Sequence, residues 1–241
     1  MRRRRAVTVF IIGAIVLVAL GGTMPRMVEE SKFLHSAEQS RTTPSTKLVE
    51  ESESRVYNVN VTEAQQDLSE LPIKGRASKA GYTRTQFGAG WALVDGCSTR
   101  NIILYRDLKD VVLENACTVV SGTLVDPYSG KTIQFSKEKS SEVQIDHVVA
   151  LSDAWQKGAQ LLTLEQRKQL ANDPLELLAV AGADNQAKGD GDAATWLPKN
   201  KAFRCEYVAR QVSIKRKYQL WVTEAEGRAM KAVLESCAVP R

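Results

Sequence analysis

Val143-Gln144-Ile145-Asp146-His147-Val148-Val149 is the stretch on which the reading of this chain turns. Apolar and polar residues alternate through its first half, the pattern of a half-buried strand. The run then sets a carboxylate directly beside an imidazole. His147 is the sole histidine outside the polar N-terminal segment that carries His35. Imidazole is the side chain best suited to take up a proton near neutral pH, and an adjacent Asp is a hard oxygen donor for a metal ion. The plain alternative is that Asp146 caps a following helix.

Outward from this run the elements are short. Thr118 to Val125 is rich in Val and Thr, Asp126-Pro127-Tyr128-Ser129-Gly130 is a strong turn, and Lys131 to Phe135 reads as the return strand of a hairpin. Glu142 to Asp146 is a further strand and Ala150 to Lys157 a helix. Thr163 opens another helix with capping-box spacing to Gln166, and Asn172-Asp173-Pro174 stops it. Leu175 to Val180 is a buried strand or turn, and Gly182 to Asp192 is a loop holding a short helical turn. Two helices close the chain, Lys199 to Tyr218 and Thr223 to Ser236, the second with a capping box between Thr223 and Glu226. Phe203/Tyr207, Val208/Val212 and Ile214/Tyr218 place apolar side chains at helical spacing. The class is α+β, with more helix than strand and no internal repeat.

A chain of 241 residues with 43% hydrophobic content has room for one packed domain plus appendages, and this composition excludes a disordered polymer. Arg2 to Arg5 precede an uncharged apolar stretch from Ala6 to about Met24. That is a signal peptide or a signal-anchor, because about 17–19 such residues barely suffice to span a bilayer. Ala19-Leu20-Gly21 offers a cleavage site. Cleaved and uncleaved forms both stay open, and both put the remainder outside the cytoplasm, secreted or tethered to the membrane. Residues 25–74 read as a flexible polar stalk, within which Val61 to Leu71 could form a short amphipathic helix. The folded domain is expected over 75–241.

All 4 cysteines lie after residue 90, an even number in an exported chain, which suggests two disulfides. Of the three pairings, Cys97–Cys117 and Cys205–Cys237 are preferred because each closes a local loop. No Cys-x-x-Cys pair suggests a zinc knuckle. From Gly75 onward 23 basic residues face 19 acidic ones, a net +4 that tolerates a polyanionic partner without demanding one. No Gly-x-Ser-x-Gly elbow marks a serine hydrolase, no base-reading module is visible, and no small-molecule cofactor is implied.

Three pieces carry chemistry in order: Asp146-His147, then Asn172-Asp173-Pro174-Leu175-Glu176, then Asn185-Gln186-Ala187-Lys188-Gly189-Asp190. A strand, a loop and a helix of this order can fold back to bring a carboxylate, an imidazole and an amide oxygen to one point. Oxygen donors in small number suit Mg²⁺, or Mn²⁺, completed by water and phosphate. An imidazole beside such an ion can activate water for attack on phosphorus. Lys188 offers a cation to phosphate or is simply solvated. Lys215-Arg216-Lys217, the densest basic run, is either a phosphate-contacting face or an ordinary exposed one. Trp155, Trp196 and Trp221 read as packing residues rather than base-stacking platforms.

With these residues in place, the chain resembles the HNH (His-Me finger, ββα-metal) endonucleases. More closely it is similar to secreted actinobacterial HNH proteins whose domain also forms the C-terminal part of GmrSD-type restriction enzymes. The likeness runs from about Gly90 to Cys237. It is carried by Cys97-Ser98-Thr99-Arg100-Asn101, Arg106-Asp107-Leu108, Asp126-Pro127-Tyr128-Ser129-Gly130 and Ile145-Asp146-His147-Val148-Val149-Ala150-Leu151. It continues through Ala171-Asn172-Asp173-Pro174, Asn185-Gln186-Ala187-Lys188-Gly189-Asp190 and Trp196-Leu197-Pro198. The resemblance implies a ββα-metal core, His147 as general base, Asp146 and Asn185 as ligands of a divalent ion, Lys188 as a phosphate contact, and nucleic acid, DNA rather than RNA, as substrate. In one respect the chain departs from the pattern. Relatives carry Asn at the position of Glu176, where it braces the histidine loop; an ionised Glu accepts hydrogen bonds but cannot donate them. With Glu176 at this bracing position, the bracing is altered and activity reduced, or Asn172 stands in. This departure keeps a second reading in view, a catalytically degenerate HNH fold that binds nucleic acid or envelope partners.

Overall fold

Val143–His147 (β6) is a strand, and it pairs antiparallel with Leu177–Ala181 (β7) in the register Val143↔Ala181, Ile145↔Ala179 and His147↔Leu177. Strand alternation makes this ribbon two-faced. Val143, Ile145, Leu177 and Ala179 enter a smaller core with Ile103, Leu108, Leu124 and Phe135, while Leu178 and Val180 enter a larger one made mostly by helices. Helix α5 (Gly182–Lys188) follows β7 without a loop, so strand, strand and helix stand together although 29 residues separate the strands. The chain turns into α5 against Ser141, where any side chain larger than glycine at Gly182 would collide with the Ser141 carbonyl oxygen.

The computed structural model describes residues 60–237, which form one compact unit. The signal or anchor at 1–24 and most of the polar stalk lie outside the described residues. Among the described residues no helix is long and apolar enough to cross a membrane. In chain order the helices are α1 (Val61–Glu70), α2 (Thr99–Asp107), α3 (Leu151–Gln156), α4 (Leu164–Ala171), α5, α6 (Arg204–Lys217) and α7 (Glu224–Cys237). The remaining strands are β1 (Leu93–Val94), β2 (Cys97–Ser98), β3 (Leu108–Leu113), β4 (Val119–Val125) and β5 (Thr132–Ser136), with β3-β4-β5 forming an antiparallel sheet. This is the expected α+β class.

The expected hairpin is β4–β5, closed by Asp126–Gly130 with Gly130 at φ 76°, a conformation that glycine adopts at little cost. Both capping boxes form: Thr163 with Gln166 at the start of α4, and Thr223 with Glu226 ahead of α7. Cys97–Cys117 and Cys205–Cys237 are the two disulfides, with Cα–Cα separations of 5.1 and 6.0 Å. The second joins the start of α6 to the end of α7.

Within the span read as stalk, the short helix expected at Val61 to Leu71 forms as α1 and packs against the domain. Helix α1 is capped by Asn60 Oδ1, which accepts from the Glu63 N–H, and it buries Ala64 with Leu71 just beyond it. Arg216 on α6 reaches Glu70 and Asp67, and Ile73 bridges to Val222. A helix that presents only one narrow apolar stripe looks like linker by composition, and its partner stripe lies some 150 residues away. Likewise α2 and β3 lack a clear periodicity; they are fixed by the Cys97–Cys117 bridge and by packing of Ile103 and Leu108 into the smaller core.

Candidate active site

The imidazole of His147 sits at the end of β6, only 6% exposed, with Nε2 3.0 Å from the Ala171 carbonyl oxygen. A carbonyl can only accept, so Nε2 carries the proton and Nδ1 presents a lone pair. Trp91 lies parallel to the ring, with centroids 5.7 Å apart and planes within 4°. Burial, and then the positive charge of Arg84, pull the His147 pKa from 6.5 down to about 3; the Ala171 carbonyl opposes this and Lys188 adds to it. The histidine is therefore neutral throughout the physiological range.

Asp146 precedes His147 at the end of β6 and is also buried. Its Oδ2 accepts from the Tyr128 hydroxyl, and its Oδ1 lies 2.9 Å from Lys188 Nζ, which also donates to the His147 carbonyl at 2.7 Å. Burial first, and then the neighbouring Asp146 charge, raise the Tyr128 pKa well above the ordinary phenol value, so it acts as a donor. Asn185, on α5, donates from Nδ2 to Gln144 Oε1 at 2.9 Å, and its Oδ1 makes no hydrogen bond among the described residues. Lys188, expected to reach phosphate, is turned inward: its side chain is fully buried on Asp146. Its helix starts at Gly182, which is packed against the Ser141 carbonyl with no room for a side chain.

The bracing positions divide between two tasks. The Glu176 carbonyl accepts from the Val148 N–H at 2.8 Å, and its Oε2 accepts from the Val149 N–H at 3.2 Å, so it holds the histidine loop purely as an acceptor. Its Oε1 is buried without a partner, and burial raises its pKa well above the carboxylate range. Asn172 does not touch that loop. It accepts from the Ala92 N–H at 2.9 Å and so anchors the segment carrying Trp91.

Side chains also replace a missing strand beside β7. Arg106 donates to the Leu177 carbonyl at 2.7 Å, Asp107 accepts from the Ala179 N–H at 2.8 Å, and Asp126 accepts from the Ala181 N–H at 2.9 Å. Buried backbone groups require such partners. Two stretches that read as a motif and a turn in the sequence thus hold the edge of the site, and the turn also delivers Tyr128 to Asp146. The basic run of α6 is not a free face: Lys215 is fully buried, Arg216 pairs with α1, and Lys217 pairs with Asp173 at 2.6 Å. Trp155 and Trp221 are buried, and Trp196 packs on Tyr128 and Tyr207. No periodic signal flags Trp91, Arg84 or the role of Tyr128; they reach the site through contacts distant in sequence.

Two clefts flank His147. One of about 250 Å³ is polar and is lined by Arg84, Asp146, His147, Ser152, Asn185 and Asp190. The other, about 150 Å³, is mainly apolar and is lined by Arg84, Phe87, Gly90, Trp91, His147 and Leu151. Among the described residues no three carboxylate, imidazole or thiol groups converge to hold a metal on their own. Besides the His147 nitrogen, the polar cleft offers oxygen donors from Asp146, Asn185 and Asp190, which suit a hard divalent cation that keeps most of its waters. Such an ion would share Asp146 with Lys188.

Residues 99–233 match the family described as GmrSD restriction endonucleases, C-terminal domain. A relative from Arthroderma benhamiae, named as an uncharacterized secreted protein, is 38% identical over 177 residues, covering 72% of this chain and 84% of its own length. No solved structure matches the chain. With over half its length matched in this way, the chain belongs to the family of GmrSD restriction endonuclease C-terminal domains.

Proposed function

We propose that this protein is an exported, metal-dependent nuclease that hydrolyses phosphodiesters of DNA with little sequence specificity. The observation that carries this reading is the state of His147: a neutral imidazole with Nε2 fixed on a carbonyl and Nδ1 unbonded, lining one cleft with the oxygens of Asp146 and Asn185. Nδ1 takes the proton of an attacking water. Asp146, steadied by Tyr128 and Lys188, and Asn185, steadied by Gln144, would hold a Mg²⁺ or Mn²⁺ ion. When bound, that ion supplies charge stabilisation to the scissile phosphate and the leaving 3′-oxygen. The products carry 5′-phosphate and 3′-hydroxyl ends. Export is supported by the basic-then-apolar N-terminus, by the two disulfides, and by the relative named as secreted.

A second reading, a degenerate fold that binds without turnover, is favoured by Glu176 and by the Lys188 ammonium already seated on Asp146. Plasmid cleavage by the purified full chain, with Mg²⁺, Mn²⁺ or EDTA and beside His147→Ala, separates the two. Metal-dependent nicking that falls by about 10²–10⁴ in His147→Ala is expected for a lost general base. Folded protein that fails to nick with either metal would sink the enzymatic reading in favour of the second.

A further inference from the structure

We propose that Arg84, which precedes the family-matched residues, grips the phosphate of a nucleic-acid strand laid across His147; this rests on the nuclease reading. Arg84 opens a short 3-10 turn, Arg84–Phe87, whose backbone is clamped in place. Phe87 is buried and meets Tyr82 and Trp155 ring to ring at 6.4 Å, while Arg167 donates to the Gln86 carbonyl at 2.7 Å. The side chain above this fixed turn is exposed, and among the described residues its guanidinium makes no ion pair or hydrogen bond.

Every other described arginine is engaged. Five pair with carboxylates, and Arg100, Arg167 and Arg204 donate to backbone carbonyls. The other cations near the site are committed too, Lys188 to Asp146 and Lys79 to Asp190. Arg84 is therefore the uncommitted cation of the polar cleft, and it lines both clefts that flank the imidazole. A planar guanidinium on a rigid mount suits bidentate binding of two phosphate oxygens. A strand crossing from one cleft to the other would place its phosphate beside Arg84 and the Nδ1 side of the neutral base.

The test uses the full chain and a fluorescent 20-base-pair duplex in EDTA, read by anisotropy across a salt series, with plasmid cleavage in Mg²⁺ run in parallel. Arg84→Ala is expected to weaken binding about tenfold and to lower the salt slope by about one. Arg84→Lys should recover the slope but only part of the affinity. Arg228→Ala, which removes the same charge from α7 outside both clefts, should match wild type. Wild type that cleaves, with Arg84→Ala equal to it in binding and rate, overturns the role of Arg84 and leaves the nuclease reading intact. Wild type that binds without cleaving, with binding lost in Arg84→Ala, upholds Arg84 while the hydrolytic reading fails. No binding by wild type at low salt overturns the proposal.

Discussion

Around Lys157 every buried charge meets an opposite one; around His147 they do not. Lys157 Nζ lies 2.7 Å from Asp153, 2.8 Å from Asp192 and 2.7 Å from Glu226, and Lys215 adds Glu226 at 3.0 Å. Arg76 closes the group on Asp153 and Asp192 at 2.8 Å. Three cations balance three carboxylates drawn from five parts of the chain. Asp153 Oδ1 and Glu226 Oε1 lack a well-aligned hydrogen bond, yet each sits at ion-pair distance from a lysine nitrogen, so neither is electrostatically uncompensated. Burial alone would pull the Lys215 pKa down, but Glu226 and Asp153 outweigh it and raise the value. At the site, by contrast, His147 is held neutral by burial and a nearby cation, and Glu176 keeps a partnerless oxygen. One region ties helices together; the other keeps a base and an acceptor unsatisfied, which is where chemistry is expected.

The largest effect expected from this contrast is on the paired side. Lys157→Met leaves the carboxylates of Asp153, Asp192 and Glu226 short of a counter-charge, and urea unfolding should show a loss of about 3–5 kcal/mol. A loss below about 1 kcal/mol would mean the cluster is not the knot described.

On the unpaired side the signature is pH dependence. The folded pKa of His147, about 3, lies below the unfolded value of 6.5, so the unfolded chain takes the proton first. Stability from this group is complete above about pH 6.5 and is lost as pH falls toward 3, by up to about 1.4 kcal/mol per pH unit. The difference in unfolding free energy between wild type and His147→Gln should follow that slope; a pH-independent difference would refute it.

Glu176 should act in the opposite sense. Its pKa is raised by burial above 4.5, so its contribution is whole below that value and is lost as pH rises through the folded pKa. Glu176→Gln should gain about 1–2 kcal/mol at pH 8 and converge with wild type near pH 4. Equal stability at pH 8 would show that the orphan oxygen finds a partner in solution.

Local chemistry made part of this legible. Asp146 and His147 are neighbours in sequence, Asn185 begins a motif of fixed spacing, and the capping boxes and both disulfides act over short separations. Those features need only the chain's immediate geometry, so sequence reading placed them in the right elements. The same reading could not see that Lys188 turns inward onto Asp146, 42 residues away, or that Lys215 within a basic run is fully buried. It also missed Trp91 stacked on His147, and Arg106 with Asp107 standing in for a strand along β7.

The amino-acid order by itself thus determined the α+β class, the strand that ends in Asp146-His147 and the hairpin over Asp126–Gly130, and it favoured one cysteine pairing among three. Periodicity, turn chemistry and loop closure are properties of neighbouring residues. Only the tertiary structure decided which face α5 presents, which cation remains uncommitted beside the base, and how far the folded unit reaches toward the N-terminus. Those outcomes depend on desolvation and on partners many tens of residues apart, and burial, unlike periodicity, is not written in any local stretch of the chain.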